Sequence, residues 1–537
     1  MRFMKYYLFA FALMAYVPAT FATTEYNLTI SRQPVNITGE PVEKVTVNGG
    51  IPAPTLRFKQ GEEALIHVTN TMKEDSSIHW HGLIVPGGMD GVPGLNGFTG
   101  IHPGETFTYR FPLKQAGTYW YHAHSMGQEQ DGLYGSIIVD PAGRDPIKAD
   151  RDYVVVLSDF TEEKSDAIMS HLKMDSDYYA NARRTVGDFF HDVKTKGFGK
   201  AWKTAKDWGH MRMAQTDLAD VTGYTFLING KSPEQNWTGI FKPGERVRLR
   251  FINASSMSFF DVRIPGLKMT VVQSDGQNVE PVAVDEFRFA PAETYDVVVT
   301  PKDAKAYTIA AEPMDRSGFA LGTLATNEGQ RGEIPTQRKR ALLTMGDMSM
   351  GDMGDMTMTP ADMISGWAKT GTPAGDKALS YADLRYGGIQ KDTREPDRTI
   401  DVRLGGNMER YIWTINGKKF SEAEPIHLKY GERVRLTFTN ETMMAHPMHL
   451  HGMFVQLENG QPKEKLPNKH TVIVPPAQSY SVLLTADEAG EWAFHCHLLY
   501  HMMSGMMTTV VVAKLDAADV PSTTTPQPQA GGMHHGH

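Results

Sequence analysis

The sequence of 537 residues predicts an all-β protein with three consecutive β-sandwich domains. Short runs of Val, Ile, Thr, Phe and Tyr alternate with turn signals, which the 50 glycines and 31 prolines supply in abundance. One pattern occurs three times, starting at Asn48, Asn229 and Asn416. In each copy an Asn-Gly turn leads to a Gly-Glu turn and then to an alternating strand that ends in Asn. A repeat of roughly 190 residues is far longer than a solenoid repeat and therefore indicates three copies of a domain.

The repeats and the segments between them divide the chain into six predicted parts. These are a signal peptide (1–22), domain 1 (23–148), domain 2 (149–340) with a helical insertion (160–215), a Met/Asp-rich linker (341–395), domain 3 (396–516) and a disordered tail ending in histidines (517–537). The insertion is charged and helix-permissive, and we expect it to pack on the junction of domains 1 and 2. Residues 345–363 of the linker are rich in Met, Gly and Asp, which predicts a flexible loop.

The N-terminus predicts an exported protein. Arg2 and Lys5 precede an apolar run over 6–17, and small residues at 19–22 offer a cleavage site. The run is too short to span a bilayer comfortably, so no stable membrane span is expected, although an uncleaved anchor is the alternative. The net charge of −8, with no basic block, gives no reason to expect nucleic acid as a partner.

Cys496, the only cysteine, lies between His495 and His497. The aromatic run before them predicts a strand, on which side chains alternate between faces. The thiolate then points to one side and both imidazoles to the other. A lone cysteine in an exported chain cannot form an internal disulfide, so a metal site is favoured over a buried free thiol. His501 and Met506 lie on the following turn. With one more histidine they would complete a His2Cys site with a weak axial thioether, which is typical of blue copper.

Three further clusters of histidines occupy matching positions in the first and third repeats. They are His79-x-His81, His122-x-His124 and His446-x-x-His449-x-His451. The second repeat has no histidine at the corresponding place, residues 255–260. We therefore expect domains 1 and 3 to meet around metal, while domain 2 separates them in sequence. Imidazole and thiolate donors together favour copper over magnesium or calcium.

These clusters resemble the copper motifs of the multicopper oxidases, and the three repeats resemble that family's cupredoxin-like domains. Within the family, the resemblance is to the periplasmic copper-resistance protein A group. It is carried by residues 185–190 and 211–213, by the Met/Asp-rich segment and by the ending His-Leu-Leu-Tyr-His at 497–501. The fold implied is three β-sandwiches with a helical insertion and a Met-rich loop. The resemblance covers nearly the whole mature chain.

The resemblance implies four copper ions per chain. A blue (type 1) copper would bind His446, Cys496 and His501, with Met506 axial. A type 2 copper would bind His79 and His449. A type 3 pair would use the remaining histidines of the clusters, which are His81, His122, His124, His451, His495 and His497. Asp90 matches an acidic position of the family and would supply protons for oxygen reduction, although a turn-forming aspartate is the alternative. The chain has Met502 where several bacterial relatives carry a second acid.

The function implied is one-electron oxidation of Cu(I) or a phenolic compound, coupled to four-electron reduction of dioxygen to water. Copper tolerance in the periplasm is the role expected, with other periplasmic copper-handling proteins as possible partners. The alternative is a protein that sequesters copper through its Met-rich and His-rich segments. A nitrite reductase is less favoured because it requires neither His-Cys-His nor three repeats.

Thioethers select Cu(I), so seven methionines of the linker are candidate accessory ligands. They are Met345, Met348, Met350, Met353, Met356, Met358 and Met363. A linker without a metal-binding role is the alternative. The terminal histidines, His534, His535 and His537, have the same two interpretations, as Cu(II) ligands or as an inert tail.

Overall fold

The computed structural model describes residues 22–180, 185–210, 218–340, 342–343, 367 and 371–513. Strands dominate the described residues, which confirms the all-β prediction and the three-sandwich arrangement. Residues 1–21 of the predicted signal peptide, the methionines from Met345 to Met363 and the histidine-ending tail lie outside the described residues. In the part of the chain that is described, no helix is both long enough and apolar enough to cross a bilayer.

Domain 1 consists of two four-stranded sheets in the orders β2-β1-β4-β6 and β3-β8-β7-β5. Its strands are β1 (Thr23–Asn36), β2 (Pro41–Val47), β3 (Ala53–Lys59), β4 (Glu63–Asn70), β5 (His79–His81), β6 (Thr106–Pro112), β7 (Gly117–His122) and β8 (Tyr134–Asp140). The inner faces of the two sheets enclose an apolar core of their own. The second sheet carries His79, His81 and His122, so this sheet brings domain 1 to the metal centre.

Domain 2 also forms two sheets, in the orders β10-β9-β12-β17-β14-β15 and β11-β19-β18-β13-β16. Its strands are β9 (Arg151–Phe160), β10 (Thr225–Ile228), β11 (Trp237–Ile240), β12 (Val247–Asn253), β13 (Phe260–Arg263), β14 (Met269–Ser274), β15 (Gln277–Val284), β16 (Glu286–Phe289), β17 (Thr294–Val299), β18 (Tyr307–Pro313) and β19 (Ala320–Ala325). Residues 378–386 of the predicted linker are attached to this domain, since Ala378 and Tyr386 form bridges to Glu286 and Val279. Gln390 and Asp392 instead bind domain 3.

Domain 3 repeats the arrangement, with sheets β21-β20-β23-β28-β25-β26 and β22-β30-β29-β24-β27. Its strands are β20 (Arg398–Asn407), β21 (Ile412–Ile415), β22 (Ile426–Lys429), β23 (Arg433–Asn440), β24 (His446–Leu450), β25 (Val455–Leu457), β26 (Asn468–Lys469), β27 (Thr471–Val474), β28 (Ser479–Thr485), β29 (Gly490–Cys496) and β30 (Met507–Ala513). Its apolar core is continuous with that of domain 2. The second sheet supplies the strands β24 and β29, which carry His446, His449 and His495.

The described chain has four α-helices, three of them in the predicted insertion. They are α1 (Ser165–Met174), α2 (Val186–Lys196), α3 (Phe198–His210) and α4 (Leu499–Met503). Helix α1 reaches beyond the expected junction of domains 1 and 2. Lys173 Nζ donates to the Tyr411 carbonyl at 2.6 Å, and Ser504 Oγ lies 3.7 Å from Met169 Sδ, so α1 also contacts domain 3. Helix α4 corrects the expectation of a simple turn after the His-Cys-His segment, because His501 lies within it.

The three Asn-Gly turns explain why the repeats fold alike. Asn48, Asn229 and Asn416 have φ values of 51°, 50° and 53°, and each following glycine also has a positive φ. Two successive positive φ values are the signature of a type I′ turn, which Asn-Gly adopts at least steric cost. Each Asn side chain accepts a hydrogen bond from the backbone of the domain's first long strand, at 2.7 to 2.8 Å. The sequence repeat is therefore a repeat of the same hydrogen-bonded corner.

The asparagine that ends the alternating strand of each repeat determines the path of the chain that follows. Asn70, Asn253 and Asn440 are buried at the ends of β4, β12 and β23. Each side-chain oxygen accepts from the backbone two residues later, and each amide donates to carbonyls of the loop that follows. In domains 1 and 3 these loops lead to the histidine strands β5 and β24. The asparagines thus fix the path of the chain just before the ligands.

Candidate metal centre

Eight imidazoles from domains 1 and 3, seven of them buried and that of His124 half-buried, form one cluster between the two domains. They belong to His79, His81, His122, His124, His449, His451, His495 and His497. Antiparallel pairing aligns them in each domain, with His79 opposite His122 on β5 and β7. Likewise His449 lies opposite His495 on β24 and β29. Across the domains, His79 stacks on His451 and His81 stacks on His449, with ring centroids 3.7 and 3.8 Å apart.

The inner ring nitrogens of this cluster are the atoms that lack ordinary partners. Five of them have no hydrogen-bond partner among the described residues: His79 Nε2, His81 Nδ1, His122 Nε2, His449 Nε2 and His497 Nε2. The Nε2 atoms of His124, His451 and His495 approach only one another, at 3.2 to 3.5 Å. Buried polar atoms are otherwise almost always paired. Lone pairs converging in this way fit a group of metal ions, and imidazole donors fit copper.

The outer nitrogens of six of the eight rings are hydrogen-bonded. Asp90 serves two of them, because its carbonyl accepts from His79 Nδ1 at 2.9 Å and its Oδ2 accepts from His451 Nδ1 at 2.8 Å. The other bonds run from His122 Nδ1 to the Ala123 carbonyl (3.0 Å), from His449 Nδ1 to the His470 carbonyl (2.7 Å), from His495 Nδ1 to the Cys496 carbonyl (2.9 Å) and from His81 Nε2 to His470 Nδ1 (3.2 Å). Glu129 Oε2 also lies 2.7 Å from His122 Nδ1. Such bonds fix which ring nitrogen carries the proton and leave the inner one free for a metal.

Burial keeps these imidazoles in the state that binds metal. It lowers the pKa of His81, His122, His124, His449, His451, His495 and His497, and it lowers that of His495 to about 3. Removing a charged ring from water is the main cause, and repulsion between neighbouring rings adds to it. The rings are therefore neutral at physiological pH, and metal has no proton to displace from them.

A second group lies on the other side of strand β29. Cys496 Sγ is 3.6 Å from His446 Nδ1 and 3.8 Å from His501 Nδ1, and these two nitrogens are 3.2 Å apart. All three side chains are buried, and so is Met506, whose carbonyl accepts from the Cys496 N–H at 3.0 Å. Burial raises the pKa of the Cys496 thiol, so a metal must displace its proton. The thiol and the imidazoles of His495 and His497 thus serve different groups, consistent with alternation along the strand.

The outer edge of this second group contains residues that the sequence did not reveal. His501 Nε2 donates to Asp220 Oδ2 at 2.7 Å, and Tyr411 Oη donates to the same oxygen at 2.7 Å. Trp413 stacks on the His501 ring, with centroids 3.8 Å apart. Asp220 comes from domain 2, next to the helical insertion, and no motif distinguishes it in the sequence. Glu129 and His470 were missed for the same reason, since neither belongs to a His-x-His pattern.

Comparison with known proteins agrees with this geometry. Family models described as multicopper oxidase match residues 29–144, 151–329 and 393–516. The chain therefore belongs to the multicopper oxidase family and is a copper-dependent oxidase. Within the family it is 46% identical to copper resistance protein A of Escherichia coli, over 92% of this chain and 94% of that protein. It is 32% identical to the multicopper oxidase MmcO of Mycobacterium tuberculosis, over 89% of this chain and 86% of that protein.

The same fold occurs in the crystal structure of Fet3p, a multicopper oxidase that functions in iron import. The TM-score is 0.70 at 21% sequence identity, over 91% of this chain and 90% of that chain. This likeness supports the predicted cupredoxin-like architecture.

Proposed function

We propose that the chain oxidises Cu(I) in the periplasm and passes the electrons to dioxygen, which is reduced to water. The observation that carries the proposal is the junction of two donor groups through residues 495–497. On one side of this segment lie the thiol and two imidazoles, and on the other side lie eight imidazoles with converging free nitrogens. Bound copper would supply the one-electron chemistry that accepts electrons singly and delivers four of them to dioxygen.

The proposed assignment gives each donor group a separate task. His446, Cys496, His501 and Met506 would hold a blue copper. His79 and His449 would hold a type 2 copper, and His81, His122, His124, His451, His495 and His497 would hold a type 3 pair, which makes four ions per chain. Cys496 provides a short covalent path for electrons, because its backbone is bonded directly to His495 and His497. The carbonyl of Cys496 also accepts from His495 Nδ1, at 2.9 Å.

Asp90 is proposed to supply protons to the cluster. Its carboxylate is buried, contacts His451 at 2.8 Å and has its other oxygen, Oδ1, 3.4 Å from His79 Nδ1. Both carboxylate oxygens are thus directed at ligand histidines, whereas a turn-forming aspartate would use them on nearby backbone N–H groups. Oxygen reduction consumes protons inside a site from which water is largely excluded, so a buried acid at this position fits the reaction.

Asp220 and the Met-rich segment are proposed to take part in the uptake of electrons from the reductant. Asp220 is hydrogen-bonded to His501, so this carboxylate lies at the outer edge of the blue-copper ligands. Leu343 and Trp367, which flank the segment, are both buried, and Trp367 packs edge-on against Phe259 at 5.1 Å. Phe259 lines a small cavity together with Leu218 and Ala219, and Ala219 directly precedes Asp220. The methionines between Leu343 and Trp367 are proposed to capture Cu(I) for delivery to the blue-copper ligands.

Deleting residues 345–358 tests this role. Oxidation of Cu(I) should fall far more than oxidation of a bulky phenol, because only Cu(I) uses thioether ligands. A matched control replaces the same residues with a Gly/Ser linker of equal length. Equal losses for both substrates would mean that the segment is structural. If the deletion lowered copper bound per chain, and copper tolerance survived Cys496→Ser, the sequestering alternative would replace the oxidase proposal.

A further inference from the structure

One buried imidazole, that of His470, belongs to neither proposed ligand set. Its side chain is 1% exposed and follows the short strand β26. His470 Nδ1 lies 3.2 Å from His81 Nε2, and the His470 carbonyl accepts from His449 Nδ1 at 2.7 Å. His470 therefore contacts one proposed ligand from domain 1 and one from domain 3.

The two nitrogens of the His470 ring face different surroundings. Nδ1 lies 3.2 Å from His81 Nε2 and 3.1 Å from Thr471 Oγ1. Nε2 has no hydrogen-bond partner among the described residues and lies near Gly82, where an added Cβ would come within 2.8 Å of it. Gly82 also has a φ of +81°, so a side chain at that position would be strained as well as obstructed. His470 contacts His81 at Nε2, whereas the His81 nitrogen without a partner is Nδ1. His470 is therefore interpreted as a neighbour of a proposed ligand, although its ring lies close enough to His81 and His449 for the three to form a metal-binding group.

The contact with His81 determines where its proton lies. A neutral imidazole has one N–H, and His81 Nδ1 has no hydrogen-bond partner in the described chain. If Nδ1 carries the metal, the proton must be on Nε2, which then donates to His470 Nδ1. His81 would be the one ligand of the cluster that binds through Nδ1, since the free inner atoms of its neighbours are Nε2. The only other acceptor for His81 Nε2 among the described residues is Thr471 Oγ1, at the longer distance of 3.4 Å. Without the acceptor on His470, the His81 proton is therefore less firmly confined to Nε2.

Domain 2, which supplies none of the proposed ligands, holds His470 in place. Asp275 Oδ2 accepts from the backbone N–H groups of His470 and Thr471, both at 3.1 Å. Lys469 Nζ lies 3.2 Å from the same carboxylate and 2.8 Å from Glu293, and all three charged side chains are fully buried. Removing one partner of such a cluster would leave a buried charge without compensation, which is strongly destabilising. The backbone at His470 is therefore rigidly attached to domain 2.

We propose that His470 is a positioning residue, which accepts a hydrogen bond from His81 Nε2 and so presents His81 Nδ1 to copper. Asp275 of domain 2 sets the position of His470, which gives the second domain a part in assembling the cluster. This inference rests on the proposed function, because it takes His81 as a copper ligand.

Two variants of equal shape test the inference. The side chain introduced by His470→Asn carries its oxygen on Cγ, as the histidine carries Nδ1, and it keeps an acceptor for His81. His470→Leu has the same shape as the Asn variant and no acceptor. Loss of a hydrogen-bond partner behind a ligand lowers metal affinity by about 10- to 100-fold. We expect the chelator concentration that removes cluster copper to fall by that factor in His470→Leu and to stay close to the wild-type value in His470→Asn.

The blue copper provides an internal control for folding, because its ligands are in the same domain as His470. Both variants should keep the blue absorption band and the wild-type melting temperature of that domain. If His470→Leu does not fold, His470→Gln replaces it. The side-chain oxygen of Gln is one bond further from Cα than that of Asn and reaches the position of Nε2, so this variant also lacks an acceptor at the Nδ1 position. The measured quantities are copper retained per chain, the blue absorption and the magnetic-resonance signal of the cluster.

The outcomes separate this inference from the proposed function. A wild-type chain that binds blue copper but no cluster copper contradicts the proposed function. If the cluster copper of His470→Leu resists the chelator as well as that of the wild-type chain, the positioning role is overturned. Equal weakening in His470→Asn and His470→Leu also overturns it, because an acceptor at the Nδ1 position would then make no difference.

Discussion

Asp90→Asn is the substitution that most sharply separates proton supply from metal binding. The carboxylate accepts from His451 Nδ1 at 2.8 Å, and the amide oxygen of Asn can accept the same bond. The Asp90 carbonyl, which accepts from His79 Nδ1 at 2.9 Å, is unaffected by the change. The copper ligands should therefore stay in place, while the group loses its charge and its capacity to carry a proton.

General acid–base catalysis contributes about 10²- to 10⁴-fold to the rate of a step. We therefore expect Asp90→Asn to slow oxygen uptake by about a hundredfold or more under substrate saturation. Anaerobic reduction of the blue copper should proceed at the wild-type rate, measured as the loss of its colour in a stopped-flow instrument. Copper per chain should also be unchanged.

Two further variants complete the Asp90 experiment. Asp90→Ala removes the bond to His451 as well, so it should also weaken cluster copper by about 10- to 100-fold. Asp75→Asn is the matched control, because Asp75 makes a similar 2.9 Å contact with His102 on the surface of the same domain. Asp75→Asn should have no effect on turnover. Wild-type oxygen uptake in Asp90→Asn across the pH range would refute the proton-supply role and leave Asp90 as a structural residue.

Three other predictions concern the division of the site. Cys496→Ser should abolish the intense blue colour while the fold survives; a copper-loaded wild-type protein without that band would contradict the assignment. His497→Ala should stop oxygen reduction yet leave a blue copper that an added reductant bleaches. Loss of the blue site with preserved turnover would mean that the faces of the strand are assigned the wrong way round. Because burial raises the pKa of the Cys496 thiol, copper binding there must release its proton, and affinity should rise about tenfold per pH unit. The cluster imidazoles, whose pKa values burial lowers, should show no such dependence around neutral pH in chelator titrations.

The proposed ligands could be selected from the sequence because their spacing is local. Alternation along a strand separates Cys496 from His495 and His497 whatever the rest of the fold, and β29 carries this segment as expected. The repeats were predictable for a similar reason, since the Asn-Gly turns impose positive φ values that few other residue pairs tolerate. The turn expected at His501 was wrong in detail, because residues 499–503 form a short helix.

The residues behind the ligands were not predictable because they depend on contacts between distant parts of the chain. Asp220 reaches His501 across 281 residues, and Asp90 reaches His451 across 361. Asp90 was found only through a family resemblance, and its contact with His451 was not foreseen. His470 contacts His81 across 389 residues, and its backbone is held by an aspartate of the domain without ligands. Such pairs leave no periodic signal in a single sequence.

In the proposed function, one-electron oxidation of Cu(I) is coupled to complete reduction of dioxygen. The coupling is tested most directly by measuring, in one sealed cell, the Cu(I) consumed, the dioxygen consumed and the hydrogen peroxide formed. This coupling predicts four Cu(I) oxidised per dioxygen, no peroxide, and no enzymatic uptake of dioxygen in Cys496→Ser. Two Cu(I) per dioxygen with peroxide released, or uptake that survives Cys496→Ser, would contradict it.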